Sequence, residues 1–158
     1  MPDSPLHTRP AAPWDAGAMA LLLREIIGIG GTTALEDPPS GADLRAWMDT
    51  PGSLWSVAER DGEVVGFQWV EPHPDLPEGA LDISTFVSPA VQGVGVGSAL
   101  FAATVAAARG AGAAWINATI LARNGGGRAY YRSRGFETYA ITPGRDGRGD
   151  TLSKRYDL

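Results

Sequence analysis

The sequence predicts one α/β domain of seven strands interleaved with four helices, and three observations carry that prediction. The chain has 158 residues, the length of one ordinary domain and short for two. Its apolar residues alternate at period two in some runs and recur at three and four in others, so neither an all-helical nor an all-strand chain fits. Hydrophobic residues make up 44% and charged residues 20%, enough apolar surface for a core and far from the composition of disordered chains.

Leu6 to Ala11 reads as a short first strand. Pro13-Trp14-Asp15 then opens an amphipathic helix, because Met19, Leu22, Leu23, Ile26 and Ile27 recur at helical spacing, and Gly28, Gly30 and Gly31 end it. After a loop closed by Pro38-Pro39, Ser40 offers an N-cap to a second helix, Gly41 to Asp49, with Leu44, Trp47 and Met48 on one side. Trp55 to Glu59 and Glu63 to Val70 flank Asp61-Gly62, the dipeptide that tight hairpin turns favour. Ala80 to Val87 alternates Leu81, Ile83, Thr85 and Val87 against Ala80, Asp82, Ser84 and Phe86, a fourth strand.

A glycine-rich turn from Gln92 to Ser98 leads into an alanine-rich helix ending at Arg109, with Gly110 at the left-handed cap. Ala114 to Leu121 alternates as a fifth strand. Asn124 caps a short helix through Arg134, and Gly135 ends it. Phe136 to Ile141 and Leu152 to Tyr156 supply the sixth and seventh strands around a charged, glycine-rich loop, Pro143 to Asp150. Trp14, Trp47, Trp55 and Trp115 fall within apolar periodicity and are read as core.

Composition removes several function classes. There is no cysteine, and the only histidines are His7 and His73, so disulfides, thiolate nucleophiles and Cys/His zinc sites are excluded and no metal is expected. Net charge is −5 with no long basic run, which argues against nucleic acid as the partner. The stretch Ala99 to Ala108 is about half of the ~20 residues a bilayer span needs, and the first residues lack the basic and apolar regions of an export signal. The expectation is a cytoplasmic bacterial protein that binds no membrane; homodimerisation is left open.

The turn from Gln92 to Ser98 is the most informative segment. It follows an apolar strand and opens a helix, so backbone N–H groups unobstructed by Cβ atoms and the positive helix end converge where a phosphate could sit; a tight turn without a ligand is the plainer alternative. A phosphate loop of the G-x-x-x-x-G-K-[ST] type fails because Lys154 is the only lysine. A dinucleotide fingerprint fails because Ser98 stands at its third glycine and residues 110–120 hold no acid.

What does fit is Gln92-x-x-Gly95-x-Gly97, which resembles the Q/R-x-x-G-x-G/A signature of the acyl-CoA-dependent N-acetyltransferases of the GNAT superfamily. Downstream, Asn124-x-x-Gly127-x-x-Tyr130-Tyr131-x-x-x-Gly135-Phe136 is similar to that family's N-x-x-A-x-x-[LF]-Y-x-x-x-G-F segment, with glycine where alanine or serine is usual. The resemblance covers nearly the whole chain and implies a single N-acetyltransferase domain over residues 1–158. It implies a mixed, mainly antiparallel sheet of six or seven strands, flanked by helices and splayed between strands four and five. A non-catalytic acyl-CoA sensor is the alternative, and a dinucleotide oxidoreductase a more distant one.

The resemblance further implies acetyl-CoA as co-substrate. Its pantetheine arm would pair with the backbone of Phe86 and Val87, its pyrophosphate with the amides of Gln92, Gly93, Val94, Gly95, Val96, Gly97 and Ser98, and Asn124 would touch the arm from the other side. Tyr131 would aim its hydroxyl at the sulfur. A tyrosine is protonated at neutral pH and can donate to a leaving thiolate; spacing alone favours a core tyrosine, and the motif favours the functional role. Tyr130 is read as packing. Asp82 is the candidate base, at a position similar to a strand-four glutamate of the phosphinothricin-acetyltransferase-like branch, or else a solvated strand acid; Glu71 and His73 are weaker candidates. The acceptor, a small molecule with an amine and amino-acid-like character, would meet Glu36, Asp37, Trp69, Arg145 and Arg148. With no cysteine to carry an acyl group, transfer is expected to be direct, in a ternary complex.

Overall fold

The computed structural model describes residues 4–30, 37–91, 95–145, 147 and 149–158. In chain order these form β1 (His7–Pro10), α1 (Ala16–Ile29), α2 (Gly41–Met48), β2 (Leu54–Arg60), β3 (Glu63–Glu71), β4 (Ala80–Val87), α3 (Val96–Gly110), β5 (Trp115–Leu121), α4 (Gly125–Arg134), β6 (Glu137–Thr142) and β7 (Thr151–Asp157).

Local chemistry explains most boundaries. Ser40 Oγ accepts from the Asp43 N–H at 3.1 Å while the Asp43 carboxylate accepts from the Ser40 N–H at 2.9 Å, a capping box that starts α2. Asp61 and Gly62 both take positive φ, 54° and 76°, as a two-residue hairpin turn of this hand requires. Asn124 Oδ1 accepts from the Gly127 N–H at 2.9 Å and so caps α4.

Three expectations are corrected. Helix α3 runs through Gly110, its cap Ala111 is right-handed, and the left-handed glycine that follows is Gly112. Helix α1 passes through Gly28 and stops at Gly30, while Gly31 lies outside the described residues. Trp14 is 81% exposed rather than core, because it precedes α1 in a short 3-10 turn, and the buried stripe begins at Ala16 and Met19. What holds that turn is Asp15, whose carboxylate takes both Arg9 guanidinium nitrogens at 2.8 Å and the Ala12 N–H at 2.7 Å.

The strands form one sheet in the order β1-β2-β3-β4-β5-β7-β6. Every neighbouring pair is antiparallel except β4 with β5, which is parallel. That parallel pair is short: Ala80 lies opposite Trp115, Leu81 opposite Ile116, and Asp82 opposite Asn117. Beyond Asp82, β4 continues against β3 alone and β5 against β7 alone. The sheet therefore forks past Asp82, between β4 and β5, the two strands expected to splay.

Helices α1 and α2 cover one face through Met19, Leu23 and Leu44 on Val57, Phe67 and Phe86. Helices α3 and α4 cover the other through Phe101, Val105 and Tyr131 on Ile83, Ile116 and Phe136. Residues of β4 divide accordingly, with Asp82, Ser84 and Phe86 toward α1 and Leu81, Ile83, Thr85 and Val87 toward α3.

Candidate active site

The fork is where the candidate residues converge. Ser88 N–H donates to the Val65 carbonyl of β3 at 2.8 Å, and in a strand successive residues turn their N–H and C=O to opposite edges. Phe86 and Ser84 therefore present their backbone to β3, and Thr85 and Val87 present theirs to the open slot. Of the two residues expected to pair with an extended ligand, Val87 faces the slot. Phe86 does not; its side chain lies in the core against Phe67 and Trp69.

Asp82 stands at the apex of the fork, half-buried. Its Oδ1 accepts from Asn117 Nδ2 at 2.9 Å, and Asn117 Oδ1 in turn accepts from the Tyr139 hydroxyl. Burial pushes the Asp82 carboxyl above the usual carboxylate range, with the Asn117 hydrogen bond and the nearby His73 pulling partly back. A carboxylate so placed is a better proton acceptor than one in water. Neither Asn117 nor Tyr139 was singled out from sequence, although an asparagine inside the apolar run Trp115 to Leu121 is itself a signal.

On the other face, Tyr131 projects from α4 to the free limb of β4. Its hydroxyl lies 2.8 Å from Thr85 Oγ1, and its ring packs edge-on against Phe136. Burial raises the phenol above its ordinary value, opposed by the Thr85 hydrogen bond, so the group stays protonated across the neutral range. Gln68 Nε2 donates to Thr85 Oγ1 at 2.8 Å and to Tyr130 Oη at 3.1 Å. The Tyr130 hydroxyl donates to the Gly97 carbonyl at 2.8 Å. Tyr130 thus packs, as expected, and also ties α4 to the start of α3.

Helix α3 begins at a residue only glycine fills easily. Gly95 has φ +87°, a conformation costing other residues about 1–2 kcal/mol. Gly97 is needed for a different reason: a Cβ there would lie 2.6 Å from Tyr130 Cε1. Val96 is buried, and Ser98 Oγ accepts from Arg134, whose guanidinium also sits over the Tyr130 ring. Gln92, Gly93 and Val94 lie outside the described residues. Asn124 spends its Oδ1 on the α4 cap, and a Cβ at residue 127 would come within 2.6 Å of its Nδ2, which accounts for glycine at that motif position.

The expected acceptor residues are more scattered. Trp69 is buried, stacked 4.1 Å from Trp55, with its indole N–H lacking a partner among the described residues. Asp37 and Arg145 are exposed, in the loop before α2 and the β6–β7 hairpin. Glu36 and Arg148 lie outside the described residues. Among those residues no cluster of His, Asp or Glu could hold a metal, and no helix is long and apolar enough to cross a membrane.

The fold defines the class: an α/β protein with a mixed seven-stranded sheet that opens between two adjacent parallel strands. The model of the Acetyltransferase (GNAT) family matches residues 20–136. The chain belongs to that family. The phosphinothricin acetyltransferase of Sinorhizobium meliloti, solved in complex with AcCoA, is similar with a TM-score of 0.85 and 24% identity, over 97% of this chain and 88% of that one. A GCN5-related N-acetyltransferase from Kribbella flavida is similar at 0.82 and 27% identity, over 97% and 98%. The mycothiol acetyltransferase of Thermomonospora curvata is 33% identical over 122 residues, 72% of this chain but 40% of that relative. The chain thus spans about two fifths of that relative's length.

Proposed function

We propose that this chain transfers the acetyl group of acetyl-CoA to the amine of a small, amino-acid-like molecule by direct attack in a ternary complex. The observation that carries the reading is the fork itself, with a desolvated carboxylate at its apex and a buried, protonated phenol on its free limb. The unpaired backbone edge of Thr85 and Val87 suits an extended, amide-bearing arm, as a missing strand would. Gly95 to Ser98 at the start of α3, with Arg134 beside them, suit its diphosphate. Acetyl-CoA would supply an acyl carbon activated by a thiol leaving group. Asp82 would take the proton the attacking amine must lose, directly or through one water, and Tyr131 would give a proton to the departing sulfur.

The acceptor would enter from the face of Asp82, Asn117 and Tyr139, where Asp82 is half-buried and Tyr139 exposed. Asp37 and Arg145 supply a negative and a positive charge in loops for the two ends of an amino acid. A melting-temperature shift with acetyl-CoA, followed by thiol release across amino acids, their amides, polyamines, aminoglycosides and the acceptor of the mycothiol acetyltransferases, tests this. A ligand at 100 times its dissociation constant adds about 2.7 kcal/mol, so a clear upward shift is expected, with turnover highest on free amino acids. No shift with acetyl-CoA or CoA refutes the cofactor site, and preference for amides over free acids removes the role of Arg145.

A further inference from the structure

The hydroxyl of Tyr131 is the end of a chain whose proton directions are fixed from its far end as far as Thr85. The Gly97 carbonyl oxygen can only accept, so Tyr130, 2.8 Å away, must donate to it. With its single proton committed, Tyr130 Oη can only accept from Gln68, which turns the nitrogen of the amide toward it at 3.1 Å. That same nitrogen is 2.8 Å from Thr85 Oγ1, so Thr85 accepts the second amide proton. Thr85 keeps its own proton, and Tyr131 Oη, 2.8 Å away, is placed either to accept it or to donate to Thr85. Gln68 and Thr85 face each other directly across β3 and β4, and Gln68 is wholly buried. Its Oε1 has no partner among the described residues, which is the cost of turning the amide this way.

We propose that Gln68 and Thr85 are positioning residues, a buried amide and hydroxyl that point a hydrogen bond into Tyr131 Oη so that its own proton is held for the sulfur of the leaving thiol. The proposal rests on the acetyl-transfer reading above. No proton travels along the chain, because an amide does not give one up. As the C–N bond forms and the C–S bond breaks, the amine proton passes to Asp82 and the Tyr131 proton to sulfur. Negative charge growing on Tyr131 Oη meets the Thr85 O–H, itself polarised by Gln68. The proton on Asp82 then returns through water to Tyr131, and the cycle balances with no further reactant.

Thr85→Val, Thr85→Ser, Gln68→Met, Tyr131→Phe and the double variant Thr85→Val/Tyr131→Phe test this by thiol release from acetyl-CoA, using the best amine of the panel or water as acceptor. Thr85→Val and Gln68→Met are expected to lower kcat about tenfold, the worth of one such hydrogen bond, with the KM for acetyl-CoA unchanged. Thr85→Ser restores most of the rate, and Thr85→Val changes nothing further once Tyr131 is Phe. Losses that add in the double variant, or full activity in Thr85→Val while Tyr131→Phe is slow, overturn the positioning role and leave the acetyl-transfer reading standing. Full activity in Tyr131→Phe overturns the acid role of Tyr131 and the positioning role with it but leaves acetyl transfer standing, whereas no thiol release under any condition overturns acetyl transfer itself. Gln68→Met keeps the test decisive should Thr85→Val fail to fold.

Discussion

Replacing Gly97 by alanine should destabilise the protein through one contact. The added methyl would lie 2.6 Å from Tyr130 Cε1, well inside van der Waals separation, and neither side can withdraw. Tyr130 is held by Gln68 and the Gly97 carbonyl and lies under the Arg134 guanidinium. The start of α3 is pinned by Val96, whose Cγ1 packs so close to β3 that a Cβ at Gly66 would meet it at 2.9 Å. Overpacking of this kind costs about 1–3 kcal/mol, and displacing Tyr130 forfeits a hydrogen bond of about 1 kcal/mol. The better helix propensity of alanine returns at most about 1 kcal/mol. A net loss of about 2 kcal/mol corresponds to about 4–8 °C in Tm for a chain this long. Thermal melts followed by circular dichroism, without ligand, read it directly. In a Tyr130→Ala background the same substitution should become neutral or mildly stabilising. A Gly97→Ala protein that melts at or above the parent, or that loses as much with Tyr130 removed, refutes the reasoning.

Other expectations follow from the same geometry. Tyr131→Phe should lower kcat by about 10² to 10⁴, the range of general acid catalysis, with little change in the dissociation constant for acetyl-CoA measured by calorimetry. Because burial raises the Asp82 carboxyl and the base must be ionised, kcat/KM should fall as pH drops through that raised value. Asn117→Ala removes the hydrogen bond that holds it down and should move this acid limb to higher pH; an unmoved limb assigns the base elsewhere. Arg9 holds the Asp15 carboxyl below its ordinary value of 3.8, so the pair stabilises the fold fully above that value and loses its contribution as pH falls through the lower, folded-state one. Asp15→Ala should cost about 2–3 kcal/mol at neutral pH, less than a fully buried pair because Arg9 is a third exposed, and chemical denaturation should show the difference shrinking in acid.

Much of this architecture was legible in the sequence because it is written locally. Ser40, Asp61-Gly62, Asn124 and Gly135 each set a boundary through their own backbone chemistry, and alternation from Ala80 to Val87 placed Asp82 and Thr85 on opposite faces. What escaped was nonlocal. The hydrogen-bonded chain that ends at Tyr131 draws on β3, β4 and α3, brought together only by tertiary packing, so Gln68 read as one polar residue in an apolar strand and Tyr130 as packing. Trp14 misled because periodicity does not say where a helix begins to face the core. Phe86 misled because the edge to which a backbone group points depends on the pairing of the neighbouring strand.

The one-sided pairing of β4 past Asp82 also leaves a signature in solvent exchange. Along this strand the amides of Ser84 and Phe86 are locked to β3, while those of Thr85 and Val87 open on the slot. Deuterium uptake should therefore alternate, slow and fast at successive residues, inside what is otherwise the middle of a continuous sheet. A molecule seated in the slot would slow only the fast members of that series, so residue-resolved exchange can map its path along the strand without a co-crystal and without knowing the acceptor.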